Sequence, residues 1–600
     1  MSGNATDPGV VAGGLDDLNA TVAQNGTVPD MSWLDTLQDV DFLLLEFKLV
    51  ASAMGIIYLG AHAALRRPPS AAPPKDKKSR RKTEDEERFA QGLELSDAIL
   101  FPVMAAFVLV GLYYLIQWLK DPAILSKILR WYMSTVSLAS LVTLYAHGID
   151  LFSGFAFPTY WRGMNGVLRK MEGKTKAVLA CDDAGNVAED AASTVASAAA
   201  PTTGNPLPGI FGLLTPTAAS RRMGWKIRGL LKREWLLRFF LQGLGEEKAH
   251  IKFGTMMAVP LAAATAIFYF STTSPALSNM LGYGMCYCSF LILSPTDLLT
   301  GSLVLCALFF YDIFMVFYTP YMVTVATTLD VPIKLQFKTG ARQSILGLGD
   351  IVIPGIVIAW ALRADLWMHY LRRIKYESTD LKIVEKDVAS GEAVTRSETK
   401  HREVKAPYVE AKGNWGNLLW TRKHMFLCAA KQLPVEVAAS RFQKTYFHAS
   451  MAGYLGGMLV TLTMLLVFKR GQPALLYLVP GVLGSLFLTA IVRGEMKSLW
   501  SYTEDGTLDV VDVVVDLDAD GNAVNTIGKM ENGVVDMTKG KDKDAEAEAA
   551  KKKEEEAKKG SENGSATKQD KPGDEEKAKK NHQVFFLSLE APPEEGDEDA

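Results

Sequence analysis

Two aspartates sit inside apolar stretches of this chain, and their type and spacing could do chemistry. Asp312 lies within Leu305–Phe317 and Asp350 within Gly347–Gly355. A carboxylate at mid-bilayer depth costs on the order of 3 kcal/mol on insertion scales, so it generally marks a functional position. Two of them on consecutive apolar runs suggest a pair. Close carboxylates in a low-dielectric site cannot both ionise readily, and such a pair shares one proton. The charged member can take a proton from water while the protonated member polarises a carbonyl. That is general acid–base hydrolysis of a peptide bond without a metal or a covalent intermediate. The pair alone leaves other readings open: structural polar residues, an ion or proton site in a transporter or channel, or a non-proteolytic scaffold for membrane quality control.

The elements that must position these groups are apolar runs long enough to cross a bilayer core of about 30 Å. About nine are legible: Phe42–Leu65, Ala98–Trp118, Ile128–Ala146, Thr255–Thr272, Ala276–Leu293, Ser302–Thr324, Ser344–Leu362, Phe447–Phe468 and Ala474–Val492. An all-α polytopic membrane protein is predicted. Asp312 falls about ten residues into the sixth run and Asp350 about seven into the seventh, which at 1.5 Å per residue gives antiparallel neighbours similar depths. The net charge of -3 hides strong segregation, because charges concentrate between the runs and after Met496. The basic stretches flank spans, so no nucleic-acid partner is called for. Membrane lipid is the expected surrounding.

Arg66, Arg67, Lys75, Lys77, Lys78, Arg80, Arg81 and Lys82 follow the first run and place that loop in the cytosol. The amino terminus is then lumenal. The glycosylation sequons at Asn4, Asn19 and Asn25 agree with that orientation. Counting onward puts the carboxyl terminus in the cytosol. The chain divides into a lumenal segment 1–41, spans one to three over 42–254, spans four to nine over 255–497, and a charged, largely disordered tail 498–600. A disordered insertion is expected over 171–217 and a cytosolic loop over 363–445. The alternation within Val510–Val535 predicts short strands, with Asp516–Gly521 as a turn rather than a calcium loop, since Ile527 stands where a bidentate Glu is needed. The five cysteines form no CxxC pair and the eight histidines no HExxH, so neither a disulfide framework nor a metal or other cofactor is expected.

Local sequence narrows the reading. Tyr311-Asp312, Gly347-Leu348-Gly349-Asp350 and Gln472-Pro473-Ala474-Leu475 occur in order on the sixth, seventh and ninth runs. They match the YD, GxGD and PAL motifs of the GxGD intramembrane aspartyl proteases. With Met322–Ala326, Pro332–Leu335 and Leu476–Pro480 they resemble the signal peptide peptidase family more than presenilin. The resemblance spans about Phe42–Lys497. It implies a presenilin/signal peptide peptidase-like fold and an aspartic endopeptidase with Asp312 and Asp350 catalytic. Tyr311, Gly347, Leu348, Gly349 and the Gln472–Leu475 segment would support them. It also implies residence in the endoplasmic reticulum membrane, although Gly596–Ala600 offers no dilysine retrieval signal. The implied substrates are type II-oriented or tail-anchored helices, including signal-peptide remnants. A homo-oligomer or a membrane quality-control complex is a further possible partnership. From the residues themselves, Tyr311 packs or donates a hydrogen bond. Gly347 and Gly349 leave room beside Asp350, and Pro473 fits the first turn of the ninth helix.

Overall fold

A computed structural model describes residues 40–119, 122–163, 165–173, 175–187, 204–241, 245–272, 274–328, 333–339, 342–386, 393–422, 432–468, 472–506, 508, 513–517, 523–531, 534–536 and 585–590. The sequons at Asn4, Asn19 and Asn25, the turn within 518–522 and the Lys/Glu-rich tract of the tail lie outside these residues. Nine long helices dominate the described residues: α1 (Val40–Ala63), α2 (Asp97–Trp118), α3 (Pro122–Ala156), α4 (Phe253–Thr272), α5 (Pro275–Ile292), α6 (Leu298–Phe317), α7 (Gly349–Leu371), α8 (Thr445–Phe468) and α9 (Leu475–Arg493). Among the described residues, eight are long and apolar enough to cross a membrane. The ninth, α5, is shorter and diluted by Ser278, Asn279 and Ser289. The Asn279 side chain ties α5 to a neighbouring strand, donating to the Gln336 carbonyl and accepting from the Gln336 N–H, both at 2.8 Å.

Three expected boundaries move. At 35 residues α3 is about 50 Å long, more than the bilayer core requires. The sixth span stops at Phe317 instead of Thr324, because Pro320 cannot continue the helix, and a separate short helix covers Tyr321–Thr328. The seventh begins at Gly349, not Ser344. Residues Arg342–Gly347 form a strand that pairs antiparallel with Lys334–Thr339, so a β-hairpin leads directly into the GxGD segment.

The central helix is α7. Apart from Asp350, Arg363, Asp365 and His369 it is apolar on every face, the pattern of a buried helix, and from Ile356 to Met368 every residue is buried. It packs on α1, α5, α6, α8 and α9. The pair α8 and α9 is held close by glycines: a Cβ on Gly453 would stand 2.2 Å from the Gly481 carbonyl oxygen. Small residues let membrane helices approach until their backbones touch. Gly457 lies on the same face of α8, whereas Gly456 meets nothing within 4 Å.

One polar cluster fixes the relative direction of the helices. Glu504, just past α9, accepts hydrogen bonds from Arg363 Nε (2.7 Å), Ser294 Oγ (2.6 Å), Tyr502 Oη (2.7 Å) and Arg66 Nη2. Arg363 Nη2 also donates to Ser294 Oγ at 2.6 Å. The carboxyl ends of α1, α5, α7 and α9 therefore lie on one side of the bundle.

Strands fill the segments between and after the spans. The region expected to be disordered, 171–217, opens inside a strand: Leu168–Glu172 pairs with Ala177–Cys181 in a three-stranded sheet with Tyr160–Arg162. The loop after α7 forms a long hairpin, Lys375–Lys386 with Ala393–Val404. Val513–Leu517, Ala523–Glu531 and Val534–Asp536 join it to close a small barrel. In the tail, Phe585–Glu590 adds to the edge of the hairpin made by Glu234–Leu241 and Gly245–Lys252.

Candidate active site

Asp312 lies in the last two turns of α6 and is buried. Its Oδ2 accepts a hydrogen bond from the Leu475 backbone N–H at 3.2 Å. Leu475 is the first residue of α9, with Ala474 as its N-cap. The first N–H groups of a helix have no intrahelical carbonyl to bond, so one is free for an outside acceptor. The Gln472–Leu475 segment thus contributes backbone: it aims an orphan donor of α9 at the carboxylate. Pro473 is buried and stands one residue before the N-cap rather than inside the first turn. Its carbonyl accepts from Leu476 N at 3.2 Å and starts the turn that presents Leu475.

Asp350 is the second residue of α7, at the opposite end from Arg363. A carboxylate in a first helical turn faces the positive end of the helix dipole, and so does one that accepts from the first turn of another helix. The start of α7 holds one member of the pair and the start of α9 the other. That electrostatic support offsets part of the cost of placing acids in a membrane. The helix α6, which carries Asp312, packs directly on α7, which carries Asp350.

The glycines beside Asp350 differ in their surroundings. A Cβ on Gly347 would come 3.3 Å from Asp350 Oδ2, so the missing side chain leaves room for the carboxylate. On Gly349 a Cβ would meet only Ile353 Cδ1, at an ordinary 3.9 Å. Leu348 is buried and belongs to the main core cluster, where it holds the junction of hairpin and helix in place. Tyr311 is partly buried and packs against the same cluster. Gln472 Oε1 accepts from Tyr477 Oη at 3.4 Å, a contact within the approach to α9.

The sequence reading did not single out Tyr454. It is fully buried on α8, and its hydroxyl donates to the main-chain oxygen of Asp350 at 3.4 Å. A polar-tipped aromatic inside an apolar, glycine-rich helix is the signal that could have found it. Asp365 also escaped notice. Its carboxylate accepts from Tyr446 N (3.2 Å) and Phe447 N (2.9 Å), which caps the start of α8 and keeps it distinct from the Asp312–Asp350 pair.

Residues 84–506 match the family model described as signal peptide peptidase. A probable intramembrane protease of Schizosaccharomyces pombe is 34% identical over 261 residues, covering 42% of this chain and 67% of that protein. A probable intramembrane protease of Saccharomyces cerevisiae is 28% identical, with 51% of this chain and 44% of that protein covered. The signal peptide peptidase of Mus musculus is 28% identical over 283 residues, with 45% and 56% covered. The chain thus spans about half to two thirds of the length of these relatives. With a family model matching well over half of its residues, and both aspartates and the PAL segment inside the match, the chain belongs to the signal peptide peptidase family.

Proposed function

We propose that this protein is an intramembrane aspartyl endopeptidase in which Asp312 and Asp350 share a proton and activate water. The observation that carries the reading is the placement of the two carboxylates at the starts of α7 and α9, with a backbone donor already on Asp312. In the reaction, the ionised carboxylate takes a proton from water as the water oxygen bonds to the scissile carbonyl carbon. The protonated carboxyl donates to the carbonyl oxygen. Collapse of the tetrahedral intermediate breaks the C–N bond, and a proton passes from the dyad to the leaving nitrogen.

A substrate helix keeps its carbonyls bonded to N–H groups four residues on, so it must unwind locally before water can attack. Helix-breaking membrane segments are the expected substrates: type II-oriented proteins, tail-anchored proteins and signal-peptide remnants. The test is cleavage of a signal-peptide-like helix by the purified chain. Wild type should cut it, and Asp312→Ala and Asp350→Ala should each remain folded and inactive. Turnover in either variant, or ion flux without cleavage in the wild type, would overturn the reading.

We further propose residence in the endoplasmic reticulum membrane with the amino terminus lumenal and the carboxyl terminus cytosolic. The basic run Arg66–Lys82 and the clustering of the carboxyl ends of α1, α5, α7 and α9 on one side support that orientation. Endoglycosidase should shift the wild-type chain and leave the Asn4/Asn19/Asn25→Gln variant unshifted. A remaining shift traced to Asn563 in the tail would reverse it.

A further inference from the structure

The main-chain oxygen of Asp350 lacks its ordinary helical partner. In α7 the carbonyl of residue 350 would accept from the N–H of residue 354, and residue 354 is a proline, which has none. Pro354 is the sixth residue of the helix, past the first turn where a proline breaks no bond. The turn that carries Asp350 is therefore joined to the rest of α7 by one hydrogen bond fewer than a regular helix supplies. The missing donor comes from another helix. Tyr454 Oη donates to the Asp350 oxygen at 3.4 Å, and the tyrosine is fully buried. A buried phenol hydroxyl needs a partner, and this carbonyl provides it. The spacing exceeds the usual O–H···O distance of about 2.7–2.8 Å, and contacts around a reacting group commonly tighten only when substrate closes the site.

The rest of α8 ties the same residue to Asp312. Gly453 and Gly457, one turn apart, face α9: a Cβ on Gly457 would stand 2.8 Å from the Tyr477 carbonyl oxygen and 3.0 Å from Leu478 Cα. Tyr477 and Leu478 belong to the same first turn of α9 whose Leu475 N–H holds Asp312. Tyr454, one residue on from Gly453, reaches α7 instead. A continuous path thus runs from Asp350 through Tyr454 and the backbone of α8 to the start of α9 and Asp312. We propose that Tyr454 is a positioning residue for the peptidase reaction, a role that rests on the aspartyl mechanism proposed above. By replacing the donor that Pro354 lacks, its hydroxyl fixes Asp350 in register with Asp312.

The test measures cleavage of a signal-peptide-like helix by the purified full chain, with kcat and KM separated and Tm recorded for every variant. Tyr454→Phe keeps the ring and removes only the hydroxyl. It should lower kcat roughly tenfold and leave KM within about twofold of wild type, since a displaced carboxylate acts on the chemical step. Tyr446→Phe removes another buried hydroxyl of α8, one that donates to Glu495 at 3.0 Å, and should lower Tm without lowering kcat. Rescue identifies the atom. Any residue but proline at position 354 restores the N–H. In a Pro354→Ala background, or in Pro354→Val should alanine leave the buried site too empty to fold, Tyr454→Phe should cost less than about twofold in kcat. Wild-type turnover in a folded Tyr454→Phe variant, or an equal loss with and without the proline, would overturn the role of Tyr454 and leave the aspartyl reading standing. A wild type that does not cleave would overturn both.

Discussion

At the residue scale, the site depends on which atoms stand beside each carboxylate. The carboxylates themselves were legible because acids in apolar runs are costly, and Tyr311-Asp312 and Gly347–Asp350 sit in such runs. Their partners were not. The donor to Asp312 is a backbone N–H, and a sequence does not show which main-chain group will be left over. Gly347 provides a sharp test. A methyl group there would press on Asp350 Oδ2 from 3.3 Å, closer than most Cβ contacts, and the carboxylate would shift by a few tenths of an ångström. Misplacement of a catalytic group by about 1 Å can cost on the order of a hundredfold in rate, so Gly347→Ala should lower kcat roughly tenfold. Gly349→Ala, with only an ordinary contact to Ile353, should lower it far less. Equal turnover in the two variants would show that the space beside Asp350 is not used.

At the scale of elements, apolar length identified the spans, and it failed where composition and conformation part. Ser344–Leu348 is apolar enough to extend a helix, yet it ends a strand. Short apolar runs do not distinguish strand from helix by periodicity. The consequence for the site is large, since Asp350 moves from the body of a helix to its first turn. The tail strand was missed for a different reason. Phe585–Glu590 is a short apolar stretch in a charged region, and its partner Glu234–Leu241 is more than 340 residues away in sequence. The tail strand pairs over its whole length with Leu236–Leu241, and Arg238 forms an ion pair with Glu590 at 3.2 Å. Without the tail strand, the edge of Glu234–Leu241 is left with unpaired backbone groups and apolar side chains, a template for association. A chain ending at residue 584 should show faster amide exchange over 234–241 and a greater tendency to self-associate. Unchanged exchange there would mean that the strand adds no protection.

At the scale of the whole molecule, the chain past α9 folds back to lock the bundle. Burial alone would push the Glu504 carboxyl up, but the guanidinium groups of Arg363 and Arg66, with the Ser294 hydroxyl, outweigh it and hold the group down at about 2. Against an ordinary 4.5, a depression of that size corresponds to about 3 kcal/mol. Because the folded value lies below the unfolded one, this stability is fully present above pH 4.5. It is lost as pH falls through the folded value near 2. Glu504→Gln should therefore lower Tm at neutral pH, since it leaves Arg363 buried without its full counter-charge, a loss of about 3–5 kcal/mol for a broken buried pair. The deficit relative to wild type should shrink as pH drops below 4.5. Truncation separates the latch from the rest of the tail. A chain ending at 509 keeps Tyr502 and Glu504 and should retain most of its Tm and turnover. One ending at 500 should lose both, as Arg66, Arg363 and Ser294 lose their common acceptor. If the two truncations unfold at the same temperature, the ends of α1, α5 and α7 are held together by their apolar contacts alone.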